Sequence, residues 1–264
     1  MTTVISFANH KGGVGKTTLA VSIADALSRE GFDVLLIDLD PQGNATRLVY
    51  SFDETPSVTI EKILDNSNPV ASAIVDKTRL GDVHLIGSTL KLSTLERHLQ
   101  LNAFSSTNHV KDRLRSVMSA YDVVIFDTPP SLSWLTANAM AASDFIFIPV
   151  ESGSKLSLIG TEDMLDFIHS AKAVNPKLQF GSAILTRHDA RKKMCKITSQ
   201  AILDFYERVL EHTLPTSTDV QKAQAEGKTI LQYDRDHTAS KEIVGMAREI
   251  VQIAGLRKAG EEVA

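Results

Sequence analysis

Lys11-Gly12-Gly13-Val14-Gly15-Lys16-Thr17-Thr18 follows a short apolar run and precedes a stretch of good helix formers. Strand, glycine-rich turn and helix start together make a setting in which a loop can bind phosphate. Glycines let consecutive backbone N–H groups turn inward around phosphate oxygens, and the helix N-terminus adds partial positive charge. On this reading Lys16 neutralises the β- and γ-phosphates of a nucleoside triphosphate, the Thr17 hydroxyl ligates a bridging Mg²⁺, and Thr18 reaches the α-phosphate. The loop departs from the pattern G-x-x-x-x-G-K-[ST]: His10 stands where the first glycine belongs, and a second lysine, Lys11, is present. Asp40 lies just beyond another apolar run, where ligands of open α/β sheets bind. Asp127 ends a third run, where a solvent-facing carboxylate can hold Mg²⁺ through water. Turn formation is the plainer role for both, and Asp38 reads as structural. Arg187, Arg191, Lys192, Lys193 and Lys196 share ten residues with one acid, Asp189, for a local charge of +4. Such a cluster is either a solvated helix start or a phosphate-binding patch whose affinity falls steeply with salt.

These residues need a scaffold, and the hydrophobic pattern supplies one. Short β-branched runs alternate with segments of helical period, as in βαβ units on a parallel sheet. Strands are expected at Val4–Ala8, Val34–Asp38, Val83–Gly87, Val123–Asp127, Phe145–Val150 and Phe180–Thr186. Most are almost wholly apolar, as when helices cover both faces. Helices are expected at Lys16–Arg29, Thr59–Asp65, Thr94–Leu101, Asn108–Ala120, Leu132–Ala142, Leu158–Ala173, Thr198–Leu210 and Ser240–Ala254. The fold class is therefore α/β, a doubly wound, mostly parallel sheet with helices on both faces. Residues 51–82 are polar and read as a helical excursion beside the sheet. No repeat or Ser/Pro-rich linker divides the chain, so residues 1–264 are expected to form one domain.

Composition narrows the function classes. The 264 residues are 43% hydrophobic and 23% charged, with 14 Gly and 8 Pro, which excludes intrinsic disorder and fibre. A net charge of -4 requires any nucleic-acid binding to come from a local patch. The one cysteine, Cys195, permits no intrachain disulfide and fits a reducing cytosol. The N-terminus lacks a basic segment followed by an apolar one, and no run of 18 apolar residues occurs, so neither secretion by that route nor membrane spanning is expected. The eight histidines show no metal-site spacing, and Trp134 reads as a core or interface residue.

The Lys-Gly-Gly-x-Gly-Lys-Thr-Thr arrangement resembles the deviant Walker A loop of the ParA/MinD ATPases, within the P-loop NTPases. Asp40-Pro41-Gln42-Gly43-Asn44 is similar to that family's second motif, and Ile125-Phe126-Asp127-Thr128-Pro129-Pro130 to its Walker B segment. Gly227-Lys228, Ile230 and Tyr233-Asp234 resemble the C-terminal part of the ParA branch, closest to its short, chromosomal Soj-like members. The resemblance covers nearly the whole chain. It implies that ATP and Mg²⁺ are the cofactors and that Lys11 crosses the interface of a homodimer to touch the partner subunit's ATP. It also implies that Asp40 belongs to the Mg²⁺ site and positions the attacking water, and that Thr186, Arg187 and Pro215 flank the adenine. Gly12, Gly13, Val14 and Gly15 supply the phosphate cradle.

ParA-branch dimers bind double-stranded DNA without sequence preference, which implies contacts by Arg191, Lys192, Lys193 and Lys196, with Lys222 nearby. Thr216 and Asp219 occupy positions that are often basic in the family. The resemblance further implies a nucleoid-associated cytoplasmic protein and a ParB-like or other cargo adaptor that stimulates hydrolysis. The cargo it implies is a plasmid or chromosome, or alternatively a protein assembly such as a carboxysome or chemoreceptor cluster. With no DNA-binding extension before the first strand, the chain is not expected to be of the long plasmid type that doubles as a repressor.

Other classes fit less well. A MinD-like membrane ATPase ends in a basic amphipathic helix, whereas Ile243, Ala247, Ile250, Val251 and Ala254 form a face suited to docking on the core. Redox relatives hold an iron–sulfur cluster with two cysteines from each subunit, and tyrosine-kinase relatives carry a C-terminal tyrosine cluster. A small-molecule ligase of the dethiobiotin synthetase type shares the fold and would need an organic acceptor.

Overall fold

The computed structural model describes residues 2–101, 106–153 and 159–258. Strand β1 (Thr3–Phe7) feeds a glycine-rich turn and then α1 (Lys16–Arg29), whose Leu19, Ala20, Ile23, Ala24 and Leu27 are buried at helical spacing. β2 (Val34–Asp38) leads to the short helices α2 (Asn44–Val49) and α3 (Ile60–Leu64), then a 3₁₀ turn (Val70–Ala73), β3 (Ile74–Val75) and β4 (Val83–Ile86). Helices α4 (Lys91–Leu101) and α5 (His109–Met118) precede β5 (Val123–Asp127), α6 (Trp134–Ala142) and β6 (Phe145–Glu151). The chain continues through α7 (Thr161–Val174), β7 (Gln179–His188), α8 (Lys193–Tyr206), β8 (Leu214–Pro215), α9 (Thr218–Ala225), α10 (Ile230–Tyr233) and α11 (Thr238–Ala254).

The eight strands form one sheet in the order β3-β4-β2-β5-β1-β6-β7-β8, parallel throughout except for β3 against β4. Alternation along each central strand sends side chains to opposite layers. Ile5, Phe7, Val34, Leu36 and Ile125 pack with α1 and α11 on one face. Val4, Leu35, Ile37, Val124 and Phe126 pack with α3, α5 and α6 on the other. The α6, α7 and α8 layer continues that second face over Ile146, Ile148 and Leu185. Ile243, Ala247 and Ile250 of α11 are fully buried, so its apolar face docks on the core as expected.

Chain order reverses beside β1: α1 carries the chain to one side, and β6 resumes on the other. Loops leaving the carboxyl ends of β1, β2 and β5 therefore meet at a topological switch point, where open α/β sheets bind ligands.

The structure differs from the sequence reading mainly at short elements. Two-residue β3 and β8, and the short helices α2, α9 and α10, carry too few residues to show a period. The helix expected at Thr198–Leu210 runs instead from Lys193 to Tyr206. Glu207 adopts a left-handed φ of 61° that ends it, and Leu210 N then donates to the Ala183 carbonyl of β7. Lys193 and Lys196 consequently lie on the helix's first turn. Leu158, the expected start of α7, and Ala259–Ala264 lie outside the described residues.

Candidate functional site

The turn from β1 to α1 is built to expose amides. Gly13 (φ 73°) and Gly15 (φ 93°) both adopt left-handed backbone, and no side chain caps α1, so its first N–H groups face the loop. The Lys11 amide donates to Asn9 Oδ1 (2.9 Å), while Asn9 Nδ2 donates to the Pro149 carbonyl (2.8 Å), anchoring the loop to β6. Thr186 Oγ1 donates to the Val14 carbonyl (2.9 Å), anchoring it to β7. Gly12 is exposed, and a methyl there would only touch Pro130. The His10 ring fills the space left by the missing side chain of Gly160, which accounts for a bulky residue at the loop's start.

Lys16 is buried, and its ammonium donates to the Lys11 carbonyl (2.9 Å). Burial lowers its pKa despite the opposing attraction of Asp127 and Asp40. Lys11, half-buried, is also lowered by burial, with Glu151 pulling the other way. The Thr18 hydroxyl accepts from Gln224 Nε2 of α9 (2.8 Å), which leaves its own proton to donate.

Three carboxylates converge below the loop. Asp38 and Asp127 are register partners on β2 and β5, and both are fully buried. Asp38 Oδ1 accepts from the Asp40 amide (3.0 Å); Oδ2 accepts from the amide (2.8 Å) and hydroxyl (2.7 Å) of Thr46. Its structural role is thus visible, since it holds the Asp40 turn and the first turn of α2. Burial still pushes its pKa up to about 6. Asp40 Oδ1 accepts from the Gln42 amide (2.9 Å), and the Asp40 carbonyl accepts from Ser88 Oγ (2.6 Å). Burial raises its pKa, with Gln42 N–H and Lys16 opposing.

Asp127 is different, because neither carboxylate oxygen has a hydrogen-bond partner of normal geometry. Burial, then the Asp38 charge, hold its pKa well above the usual carboxylate range; the Thr17 hydroxyl is near enough to offset part of this without a well-formed bond. Among the described residues no group of three His, Cys, Asp or Glu side chains is placed to hold a metal ion. One carboxylate and one hydroxyl cannot cage a cation, but they match Mg²⁺, which keeps waters and draws its remaining ligands from phosphate. The residues fit that ion only together with a polyphosphate.

The remaining expected residues divide. Thr186 is buried and bonded to the loop, whereas Pro215 of β8 is the register partner of His188 at the end of β7. Arg187 is exposed, and its Nη1 donates to Glu151 Oε1 (3.2 Å). Arg191, Lys192, Lys193 and Lys196 are all exposed at the start of α8, but Asp189 pairs with Arg191 (3.0 Å) and reaches Lys192 (4.0 Å). Lys222 on α9 pairs with Asp219 (2.8 Å). Sequence reasoning missed Asn9, Thr46, Ser88, Glu151 and Gln224; only Asn9, next to the loop, had a local signal. A cleft of about 1030 Å³ opens beside Gln42, Gly43 and Ser88.

A parallel sheet with this strand order, and an uncapped helix after a glycine turn at its switch point, defines the P-loop NTPase class. Residues 2–180 match the AAA domain family. The chain is 33% identical to the chromosome partitioning protein ParA of Caulobacter vibrioides over 252 residues, covering 94% of this chain and 93% of that one. It is 31% identical to the sporulation initiation inhibitor protein Soj of Bacillus subtilis over 250 residues, covering 94% and 97%. The crystal structure of cobyrinic acid a,c-diamide synthase from Mycobacterium smegmatis with bound ATP analog and magnesium superposes with a TM-score of 0.80 at 29% identity, covering 94% of this chain and 93% of that one. The chain belongs to the ParA family of partition ATPases.

Proposed function

We propose that the chain binds Mg-ATP, dimerises around two nucleotides, binds double-stranded DNA without sequence preference, and releases it after hydrolysing ATP to ADP and phosphate. The observation that carries this reading is a buried Lys16 and a buried Asp127, whose carboxylate accepts no well-formed hydrogen bond, set together beneath an open amide loop. An open amide loop with a buried ammonium favours a polyphosphate, and a buried carboxylate without a well-formed hydrogen bond favours a hard cation beside it. The M. smegmatis relative, solved with an ATP analog and magnesium, supports the same pair of ligands here.

Each residue then has a task. The loop amides and Lys16 hold the phosphate chain, and Thr18 donates its free proton to it. Thr17 and Asp127 would hold Mg²⁺, which supplies charge neutralisation on the phosphates when bound. Asp40, fixed in its turn by Gln42, Ser88 and Asp38, orients a water on the γ-phosphate and accepts its proton. The water oxygen bonds to phosphorus as the bridging oxygen leaves with ADP. Lys11 from each protomer reaches the other's nucleotide. Loss of the γ-phosphate removes charge that offsets the desolvation of that ammonium, so dimer and DNA contacts weaken together.

The DNA contacts are assigned to Arg191, Lys192, Lys193, Lys196 and Lys222, and the cargo to a plasmid or chromosome reached through a ParB-like adaptor. Hydrolysis in the absence of any organic acceptor separates this reading from an amide ligase. The direct test is DNA retardation with ATP, with ADP and without nucleotide. Retardation in ATP alone is expected; equal retardation in all three states would overturn the switch.

A further inference from the structure

Arg187, one residue before the end of β7, has left-handed backbone (φ 49°) where the register with β8 shifts, an unfavourable conformation for a residue with a Cβ. The Thr216 hydroxyl holds it by donating to the Arg187 carbonyl (3.0 Å). The turn carries the guanidinium toward β6, where Nη1 meets Glu151 Oε1 at 3.2 Å. On the way it covers the phosphate loop: a methyl built on Gly13 would lie 3.6 Å from Arg187 Nη2. The guanidinium therefore sits beside the amides that face phosphate, while its backbone neighbour Thr186 grips the same loop through Val14. Glu151 and Thr186 are register partners, so the strap runs across adjacent strand ends.

The ion pair is poised to exchange. The Arg187 side chain is 55% exposed and that of Glu151 33%, and an ion pair so open to water contributes little stability. A polyphosphate offers the planar guanidinium more charge and a two-pronged set of acceptors. Glu151 also faces Lys11, so one carboxylate serves as counter-ion to two cations flanking the loop.

We propose that Arg187 is a third cation for the phosphate chain, acting within its own protomer, and that Glu151 is its resting partner, exchanged for phosphate oxygens when nucleotide binds. This rests on the phosphate-loop reading and replaces the base-flanking role that resemblance implied for Arg187.

The test measures affinity for ATP, ADP and adenosine by calorimetry, with apo thermal unfolding as a control. Arg187→Ala should weaken ATP and ADP binding about tenfold, as loss of one charge-assisted bond implies, and leave adenosine binding unchanged. Arg187→Lys should recover part of the loss. Glu151→Gln should tighten ATP binding several-fold, a gain of sign opposite to the loss of a merely structural contact, and the gain should shrink in the Arg187→Ala background. Equal losses for all three ligands would return Arg187 to the base, and unchanged ATP affinity in both single variants would overturn the exchange. A wild-type chain that binds no nucleotide would instead sink the phosphate-loop reading beneath it.

Discussion

Asp38 and Asp127 stand opposite each other at the carboxyl ends of β2 and β5, both with no exposed surface, yet only Asp38 has hydrogen-bond partners of normal geometry. Two like charges this close cannot both ionise cheaply without a counter-charge. The asymmetry divides their labour, one carboxylate bracing the Asp40 turn and the other left open to a ligand.

This arrangement has a pH signature. Asp38 is raised from 3.8 to about 6 by burial, so the folded state holds its proton more tightly than the unfolded chain does. Stability from that proton is complete below pH 3.8 and is lost as pH rises through 6. Relative to Asp38→Asn, which does not titrate, the wild-type apo protein should lose up to about 3 kcal/mol between pH 4 and 7. Chemical denaturation of both proteins across that range reads the difference, and a constant difference would contradict the assignment.

Asp127→Ala removes the carboxylate without a well-formed hydrogen bond. ATP affinity in excess Mg²⁺ should fall about tenfold or more, while affinity in EDTA should hardly change. A fluorescent ATP analogue titrated in both buffers measures it. Unchanged affinity in Mg²⁺ would remove Asp127 from the site.

For Asp40→Ala, turnover should fall at least about 100-fold, the scale of a lost general base, with ATP affinity retained. Phosphate release under saturating ATP, set beside the binding curve, separates the two effects. Parallel loss of binding would make Asp40 a structural residue of its turn.

Lys11→Ala should leave the fold intact and abolish ATP-dependent dimerisation. Two symmetry-related ammonium contacts at about 1.5 kcal/mol each weaken association by roughly 100-fold or more. Light scattering with a nonhydrolysable ATP analogue reads the mass, and wild-type dimerisation would refute the crossing role.

In Arg191→Glu, DNA retardation should be lost while ATP-dependent dimers persist, and binding by the wild type should weaken steeply with salt. Because Asp189 already pairs with Arg191 and Lys192, Lys193→Glu should cost at least as much. Wild-type retardation by both variants would move the DNA surface elsewhere.

Much of this molecule was legible before its tertiary structure. Lys11 to Thr18 are consecutive residues in one turn, so their chemistry and spacing are local properties of the chain. The central strands are apolar along their whole length, which by itself declares a sheet covered on both faces. The folded arrangement alone decided which partners those residues meet. Thr18 and Gln224 are 206 residues apart, and Val14 and Thr186 are 172 apart. The Arg187–Glu151 strap joins two strand ends that no local pattern pairs. Asp38 and Asp127 carry the same side chain at the ends of similar strands; their different roles follow from Thr46 and the Asp40 amide reaching one and not the other. Periodicity reports which face a residue takes, whereas a pKa, a counter-ion or an open carboxylate depends on atoms brought together by the order of strands in the sheet.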